Sequence, residues 1–384
     1  MYFFKQKFNL LNNKISNMSS IIGKSILFNG SGKPLEEKEF TLPEKLNEHE
    51  AIVEISISTV CGSDVHTWLG HRPFPTPCIL GHEMVGKIVK LGTKLTNDFL
   101  GNKLSIGDRI TWSMTASCGN CYYCKIANLP QKCTNLFKYG HVKNDESSHF
   151  TGGYAKFVKI VNGSFIFKIP DDLSDKEVVP LMCAGATITS GLDAVNFSQC
   201  DYVVVQGCGA LGLYACAFSK ELGSKTVIAV DIDEKRLELS KEFGADIIVN
   251  PNTEKDIVSK IQELTEGRGA DYAIEVTGTP NVISDGLKFL RIGGTYILLG
   301  AIYPGNEVTI DSSIIITKCL NISGMHNYGP IHLKNAIALV RQSKNKYPYE
   351  KIVGPTFEFS KNGLEKAFNA LNSKESLRPA IVPN

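Results

Sequence analysis

The chain has 384 residues, a length at which a single hydrophobic core usually gives way to two domains. Its 41 basic and 39 acidic residues leave a formal net charge of +2, which excludes a broad electrostatic attraction to nucleic acid or to an anionic membrane surface. No uninterrupted apolar run approaches the roughly 20 residues that cross a bilayer, so we expect a soluble protein with no membrane partner.

The first segment, residues 1–18, contains lysines and no acidic residue. It also has no arginine and little serine, unlike a transit peptide. We therefore expect a disordered leader, or a start assigned too early with Met18 as the true first residue. A targeting signal is the alternative.

Residues 19–184 are predicted to belong to a mainly β domain. From about Lys24 to Phe167 the sequence consists of short alternating runs, such as 51–57 and 154–160, separated by Gly, Pro and Asn. Alternation with these separators is typical of short strands joined by irregular loops. Functional residues are expected on those loops.

After Pro170 the pattern changes to strands that alternate with helices. This alternation indicates a parallel sheet covered by helices on both faces. Asp233 is placed to cap the second of these helices. The predicted strands are 202–206, 226–231, 247–249, 271–276 and 295–299, and the predicted helices are 210–222, 233–243, 255–264 and 282–290.

Past Lys334 the sequence contains one predicted helix and two short strand-like segments, 356–359 and 378–382. These segments resemble the mainly β pattern of residues 24–167. We therefore predict an α/β protein in which a doubly wound parallel sheet is inserted in a mainly β domain. The predicted domains are residues 19–184 with 327–384, and the insert 185–326. The cleft between them is the expected place of the chemistry.

A glycine-rich motif opens the first predicted helix of the insert. Gly207, Gly209 and Gly212 fit G-x-G-x-x-G after a strand, and Asp231 stands at the end of the next strand. The glycines let backbone N–H groups approach a pyrophosphate, and the acid accepts from ribose hydroxyls, which favours NAD over NADP. Arg236 either reaches the same ribose or is a solvated helix residue. A glycine-rich turn without a ligand is the plain alternative for the motif.

Four of the eleven cysteines, Cys118, Cys121, Cys124 and Cys133, are spaced C-x-x-C-x-x-C followed by an eight-residue gap. Four thiolates so spaced can close a tetrahedron around Zn²⁺, and with no open position such a site is structural. An iron–sulfur cluster and reduced thiols without a metal are the alternatives. Clustered thiols without a convincing signal peptide indicate a reducing compartment, so we expect a cytoplasmic location.

A second set of metal-ligand residues is distributed over separate segments. Cys61, His82, Glu83 and Cys183 supply thiolate, imidazole and carboxylate groups. Ligands of these types suit zinc, and a catalytic zinc site keeps a position open for substrate. Taken singly, each cysteine is equally well a small buried residue, and His66 a surface histidine.

Five motifs follow one another along the chain: Cys61-Gly-Ser-Asp-Val-His66, Gly81-His-Glu-Met-Val-Gly86, the four-cysteine loop, Leu181-Met-Cys-Ala-Gly185 and the Gly207 motif. In that order they resemble the zinc-containing medium-chain alcohol and polyol dehydrogenases, from about residue 24 to the C-terminus. The resemblance implies a Rossmann sheet inserted in a GroES-like catalytic domain. It also implies one catalytic and one structural zinc, NAD, and a homodimer or homotetramer that interconverts a primary or secondary alcohol and its aldehyde or ketone.

The resemblance assigns roles to residues around the catalytic zinc. Cys61, His82 and Cys183 resemble its ligands. Glu83 resembles the adjacent carboxylate that enters the coordination shell during exchange. Asp64 resembles the acid that orients the metal-bound histidine.

Three further residues resemble functional positions of the family. Ser63 and His66 resemble the relay that passes the alcohol proton to solvent, and Arg378 a basic residue held against the cofactor pyrophosphate. Two departures remain. The last gap of the cysteine loop is one residue longer than usual, and Cys183 is typical of alcohol dehydrogenases although the segment 61–66 is polyol-like. The nature of the alcohol, polyol or other, therefore stays open.

Two stretches, Leu129–His141 and Met325–Pro330, resemble a subgroup of these dehydrogenases associated with phosphonate metabolism. This resemblance adds a hydroxyalkylphosphonate to the candidate substrates. The residues that could contact an anionic head group are Lys138, His141, His326 and Tyr328. The alternative is that they are ordinary surface-loop residues, since such loops are rich in polar and basic side chains.

Two other functions remain open on the sequence alone. The first is a metal-independent quinone or enoyl reductase of the same fold. Such an enzyme does not need Cys61, His82, Glu83 and Cys183, so their presence argues against it. A non-enzymatic protein that binds a partner through a zinc loop is disfavoured by the near-neutral charge and the complete dinucleotide motif.

Overall fold

The strands and helices follow the predicted alternation along most of the chain. The computed structural model of the protein describes residues 21–145, 149–300 and 307–383, and the predicted leader, residues 1–18, lies outside them. In chain order the described strands are β1 (Ile22–Leu27), β2 (Glu36–Thr41), β3 (Ala51–Thr59), β4 (Glu83–Leu91), β5 (Arg109–Trp112), β6 (Thr115–Ala116), β7 (Phe137–Lys138), β8 (Phe157–Ile160), β9 (Ile166–Lys168), β10 (Cys200–Gln206), β11 (Ser224–Val230), β12 (Ile247–Val249), β13 (Ala270–Glu275), β14 (Leu290–Leu298), β15 (Asn321–Gly324), β16 (Val353–Glu358) and β17 (Arg378–Val382). The described α-helices are α1 (Gly62–Trp68), α2 (Tyr122–Lys125), α3 (Asp175–Val178), α4 (Ala184–Ala194), α5 (Ala210–Glu221), α6 (Glu234–Glu242), α7 (Ile257–Leu264), α8 (Asn281–Phe289), α9 (Ser312–Thr317), α10 (Pro330–Ser343) and α11 (Lys361–Asn372).

The mainly β part of the chain is organised around one mixed sheet. Within the described residues its path runs β16-β17-β3-β4-β5-β9, and β8 pairs with β3. β3 is buried along most of its length, as its apolar and β-branched residues favour. Its antiparallel pairing with β4 sets Thr59 opposite Glu83. This register places the segment that carries Cys61 beside the one that carries His82.

The parallel sheet has the topology that binds dinucleotides. Within the described residues it contains six strands in the order β12-β11-β10-β13-β14-β15, and every neighbouring pair is parallel. The chain therefore winds outward in one direction from β10 through β12, and in the other from β13 through β15. A ligand crevice is expected where the winding reverses, beyond the carboxyl ends of β10 and β13.

A continuous hydrophobic cluster joins the two sheets. It contains Val53 and Tyr139 of the mainly β part together with Leu213 and Tyr214 of α5. Helices α4 and α10 pack against each other, and Leu333 of α10 is fully buried. Burial of one such leucine stabilises the fold by roughly 1.5–3 kcal/mol. These contacts fix how the two sheets face each other, and so they shape the cleft between them.

The C-terminal part differs most from the sequence-based prediction. It contains two helices where the pattern predicts one, because α11 lies between β16 and β17. The signal for α11 is present in the sequence: Leu364, Ala367 and Phe368 recur at helical spacing, and the Ser360 hydroxyl caps the helix by accepting from Gly363 N at 3.0 Å. In addition, β14 begins at Leu290, earlier than the predicted start near Thr295.

Strand β8 begins at Phe157, whereas the alternation predicts a start at Tyr154. Tyr154 N donates to Leu80 O at 3.1 Å, and the Tyr154 hydroxyl donates to Asp64 at 3.1 Å. Tyr154 therefore stabilises the segment that carries Asp64 through a hydrogen bond instead of extending strand β8. The predicted domain boundaries near residues 184 and 327 stay predictions. Among the described residues, no helix combines the length and the apolar character that a membrane span requires.

Candidate active site

The loop after β3 is organised by the carboxylate of Asp64. Cys61 is the N-cap of α1, and Asp64 Oδ2 accepts from Cys61 N at 3.0 Å, which satisfies one of the free N–H groups of the helix start. The same fully buried carboxylate accepts from the Tyr154 hydroxyl at 3.1 Å and lies 3.1 Å from His82 Nδ1. A buried carboxylate with this many partners holds both loops in place.

Four ligand-type side chains converge beside this loop. One donor atom from each of Cys61, His82, Glu83 and Cys183 lies within 4.8 Å of the others. Cys61 Sγ and Cys183 Sγ are 3.9 Å apart. Two sulfurs that bind one zinc at about 2.3 Å in a tetrahedron are separated by ~3.8 Å, so the thiol spacing fits a shared ion.

The hydrogen bond to Asp64 prepares His82 to act as a ligand. Because the His82 Nδ1–H donates to Asp64, Nε2 is the nitrogen left for another partner. Ser63 Oγ lies 3.5 Å from that nitrogen. Burial alone lowers the pKa of His82, but the Asp64 carboxylate and Cys61 raise it to about 10. These anionic neighbours favour the protonated imidazole, and a bound zinc would displace its Nε2 proton.

The electrostatics of the cluster favour a thiolate at Cys61. A hydrogen bond from the Cys183 thiol holds the pKa of Cys61 well below its ordinary value, against the effect of burial and with the help of Arg378 and His82. Burial raises the pKa of Glu83 to about 7, against the opposing effect of Arg378. The thiolate is the form of cysteine that binds metals.

Glu83 belongs to a second buried network at the rear of the cluster. The Thr59 hydroxyl donates to Glu83 Oε2 at 2.5 Å, and Arg378 Nε donates to Glu83 Oε1 at 3.1 Å. Arg378 Nη2 is buried and has no hydrogen-bond partner among the described residues. The sequence-based prediction places Arg378 against a pyrophosphate; in the structure its Nε pairs with Glu83, and Nη2 stays available.

The four-cysteine loop brings its sulfurs together despite its longer last gap. One Sγ from each of Cys118, Cys121, Cys124 and Cys133 lies within 4.8 Å of the others. The separations are 3.4 Å for Cys133–Cys118 and 3.4 Å for Cys121–Cys124. The Thr134 backbone N–H is the largest cause that lowers the pKa of Cys121 to about 5. Thiolates at these separations fit a closed tetrahedral zinc site.

The glycine motif forms a narrow turn between β10 and α5. Gly207 has φ +101°, a conformation that favours glycine. A Cβ added at Gly212 would collide with the Gly207 carbonyl oxygen, whereas one added at Gly209 would meet nothing within 4 Å. Gly209 is also the N-cap of α5. The first N–H groups of α5 have no partner within the helix, and Gly209 and Ala210 line the cleft, an arrangement that suits a phosphate.

Asp231 stands beside this turn. Its carboxylate accepts from Cys208 N at 2.6 Å and from Asp233 N at 2.9 Å. Asp233 in turn caps α6, as predicted, by accepting from the backbone N–H groups of Lys235 and Arg236. The acid is thus held at the carboxyl end of β11, next to the motif.

One cleft, with a cavity volume of about 510 Å³, connects the cluster and the glycine turn. Cys61, His82 and Cys183 line it on one side, and Gly209 and Arg236 line it on the other. Ser63, His66 and Arg378 also border it. Three of the predicted metal ligands and three of the predicted dinucleotide residues, Gly209, Arg236 and Arg378, therefore border a single space.

Two family profiles match the sequence on either side of this cleft. The alcohol dehydrogenase GroES-like domain matches residues 47–171, and the zinc-binding dehydrogenase domain matches residues 210–342. The chain belongs to the zinc-binding alcohol dehydrogenase family. This result confirms the predicted family and the predicted fold class, and it makes the protein an oxidoreductase of the alcohol and polyol dehydrogenase class.

Individual members of the family are similar over nearly their whole length. The 5-exo-hydroxycamphor dehydrogenase of Pseudomonas putida is 30% identical over 336 residues, which cover 86% of this chain and 91% of that one. The sorbitol dehydrogenase of Halalkalibacterium halodurans is 30% identical over 354 residues, 91% of this chain and 95% of that one. The crystal structure of an alcohol dehydrogenase from Thermotoga maritima is 28% identical with a TM-score of 0.89, covering 95% and 100% of the two chains.

The sequence did not predict several contacts that polar residues make in or beside the cleft of this zinc-binding dehydrogenase. His66 Nδ1 lies 3.3 Å from His71 Nδ1, and burial, then His71, lowers the pKa of His66. Arg72 lines the cleft, yet no pattern in the sequence marks it. Tyr154, a partner of Asp64, follows two glycines, which are a signal of close backbone approach.

The four candidate contacts for an anionic head group separate into two pairs. Lys138 and His326 line the cleft, whereas His141 and Tyr328 do not. The Tyr328 hydroxyl donates to the Met182 carbonyl oxygen and accepts from Met114 N at 3.1 Å. Its hydrogen bonds are therefore made within the protein and not to a substrate. The structure therefore leaves Lys138 and His326 as candidates for a contact with substrate.

Proposed function

We propose that the protein is a zinc-dependent, NAD-linked alcohol dehydrogenase that converts an alcohol to its aldehyde or ketone, and the reverse. One observation carries the proposal: three members of the ligand cluster, Cys61, His82 and Cys183, line the same cleft as Gly209 of the glycine turn. When bound, a zinc ion supplies a Lewis acid that favours the deprotonated alcohol oxygen, and NAD supplies the hydride acceptor.

In this proposal the chain's own residues hold and orient the reactants. Cys61, His82 and Cys183 would hold the catalytic zinc, with Glu83 as the exchanging ligand and Asp64 orienting His82. The second zinc would be held by Cys118, Cys121, Cys124 and Cys133. These ligand sets are supported by the convergence and spacing of their donor atoms.

A proton must leave the alcohol when it is oxidised. We assign the relay to Ser63 and His66. Ser63 Oγ lies next to the ligand cluster, and His66 is half-buried on the same helix, where it borders the cleft. Ser63 Oγ would accept the alcohol proton while releasing its own hydroxyl proton, and the His66 imidazole would accept that proton and release one to solvent.

The cofactor would lie across the glycine turn. The start of α5 at Gly209 would face the pyrophosphate, with Gly207 and Gly212 allowing the turn, and Arg378 Nη2 is available to the same group. Asp231 and Arg236 would face the adenosine ribose. The acid at position 231 supports NAD over NADP.

The direct test is the metal content and turnover of the purified protein. We expect two zinc ions per chain, and NADH formation from alcohols that stops when the catalytic zinc is removed. Cys61→Ser should abolish turnover and leave NADH binding nearly unchanged, because the thiolate touches the metal and not the cofactor. Full turnover by Cys61→Ser, or by zinc-free protein, would instead favour a metal-independent reductase of the same fold.

We further propose a homodimer or homotetramer in the cytoplasm. All eleven cysteines lie in the described residues and have free thiols, which suits a reducing compartment. The assembly rests on analogy with the family. Light scattering on the purified protein would establish the number of chains.

A further inference from the structure

The wall of the cleft is positively charged. Among the described residues that line it, the basic side chains are Arg72, Lys138, Arg236 and Arg378, none is Asp or Glu, and the groups that can form thiolates are the proposed zinc ligands Cys61 and Cys183. Buried or half-buried cations are costly unless an anion is near. The cleft is therefore built for ligands that carry negative charge.

Two of these cations are accounted for by the proposed dinucleotide site. Arg378 pairs with Glu83 and has one nitrogen left for the pyrophosphate. Arg236 lies in the first turn of α6, beside the carboxyl end of β11, where the ribose of a dinucleotide is expected. The cofactor leaves Arg72 and Lys138 unexplained.

Arg72 and Lys138 come from the catalytic half of the cleft. The Arg72 guanidinium lies 4.8 Å from the centroid of the Phe74 ring, and no ion pair among the described residues involves it. Arg72 Nη1 is buried without a hydrogen bond in the described part of the chain. The ammonium group of Lys138, on the short strand β7, likewise has no hydrogen-bond or ion-pair partner within that part, although the Lys138 backbone pairs with Thr115. Burial first, and then Arg72, lower the pKa of Lys138 to about 8 against the opposing effect of Cys183 and Cys61, so the two cations are close enough to repel each other.

His326 adds a neutral donor to the same wall. The Lys132 ammonium donates to His326 Nδ1 at 2.7 Å, so the His326 proton is on Nε2. Burial, followed by Lys132 and Lys138, lowers the pKa of His326 to about 4, which keeps the ring neutral. A guanidinium, an ammonium and an imidazole N–H therefore border one space, together with Cys61 and Cys183.

We propose that the alcohol substrate carries a compact anionic group, a carboxylate, phosphonate or phosphate, that Arg72 and Lys138 hold while its hydroxyl lies at the Cys61, His82 and Cys183 cluster. The inference rests on the proposed alcohol dehydrogenase function and names its substrate class. Arg72 supplies a planar fork that matches such oxyanions, and Lys138 supplies a point charge. An anion between the two cations would offset their mutual repulsion and the free-energy cost of burying them.

The test compares three alcohols of similar length with the zinc-loaded enzyme: n-butanol, γ-hydroxybutyrate and ω-hydroxypropylphosphonate. We expect both anions to have a lower KM than n-butanol, and the lower of the two identifies the preferred head group. Lys138→Gln and Arg72→Gln should each raise the ratio of the KM for the anion to the KM for n-butanol at least about tenfold. Lys138→Arg, which keeps the charge, should restore most of the loss.

A matched control and a measurement without turnover complete the design. Lys255→Gln removes an exposed lysine outside the cleft and should leave all three KM values unchanged. Calorimetric titration of the NADH complex with the two anions should show binding that Lys138→Gln weakens. Equal efficiency for n-butanol and both anions, with unaltered ratios in the variants, would overturn the anion site while the dehydrogenase stands. Absence of turnover with every alcohol, but retained anion binding, would instead remove the proposed reaction and keep the site.

Discussion

At the scale of single residues, Asp64 connects parts of the site that are distant in sequence. Its carboxylate caps α1 at Cys61, orients His82 and accepts from Tyr154. Sequence resemblance assigns only the second of these contacts. The structure adds the other two, because hydrogen bonds between loops depend on how the loops pack. A change at Asp64 therefore disturbs the position of two proposed ligands at once.

Asp64→Asn should weaken zinc binding at the catalytic site by about 10–100-fold, because an amide cannot accept all of these hydrogen bonds. The measurement is competition for zinc with a chromogenic chelator, together with kcat/KM. Tyr154→Phe is the control, since it removes one hydrogen bond and should cost only about 0.5–1.5 kcal/mol. Zinc affinity in Asp64→Asn equal to that of the wild type would contradict the orienting role.

Asp231 is the second residue whose role can be isolated. Asp231→Ala removes the carboxylate that disfavours a 2′-phosphate, so the ratio of kcat/KM with NADP to kcat/KM with NAD should rise at least about tenfold. Lys255→Gln, on the surface of the same domain, should leave the ratio where it is. An unchanged ratio in Asp231→Ala would remove this residue from the cofactor site.

At the scale of elements, the β10 to α5 turn gives each glycine of the motif a distinct structural environment. The glycines of such a turn perform different tasks. Gly207 supplies a positive φ, Gly212 allows helix and turn to touch, and Gly209 leaves room for a ligand. The spacing of the glycines in the sequence predicts the turn. Only the structure separates a glycine that the fold needs from one that the ligand needs.

Two alanine variants test that separation. Gly212→Ala should lower stability by roughly 1–3 kcal/mol, because its Cβ overlaps the Gly207 carbonyl oxygen. Gly209→Ala should leave the melting temperature nearly unchanged and weaken NADH binding, because its Cβ projects into open space. Thermal unfolding and fluorescence titration with NADH give the two readings. Equal stability losses in both variants would argue against a ligand at Gly209.

At the scale of the whole molecule, one continuous hydrophobic cluster joins the two sheets. The cluster runs from Val53 in β3 to Leu333 in α10 and Tyr214 in α5. Composition and length predict two domains, but they do not predict how extensively the two domains pack against each other. The extent of this contact fixes the distance between the proposed ligands and the glycine turn.

Unfolding in denaturant should therefore follow one transition. Both tryptophans, Trp68 and Trp112, lie in the mainly β part, so their fluorescence reports on that part alone, whereas circular dichroism reports on the whole chain. We expect the two curves to coincide. Leu333→Ala should shift both by the same amount, about 2–5 kcal/mol. Separate curves would mean that the two sheets unfold independently.

The sequence by itself determined the fold class, the family and the two groups of ligand-type residues, because periodicity, glycine spacing and metal-ligand chemistry are local properties of the chain. It could not show that Arg72 and Lys138 line one cleft, nor that the Tyr328 hydroxyl donates to the Met182 carbonyl oxygen and accepts from Met114 N. Those facts depend on contacts between segments far apart in sequence. Only tertiary packing sets such distances, and with them the charge of the cleft.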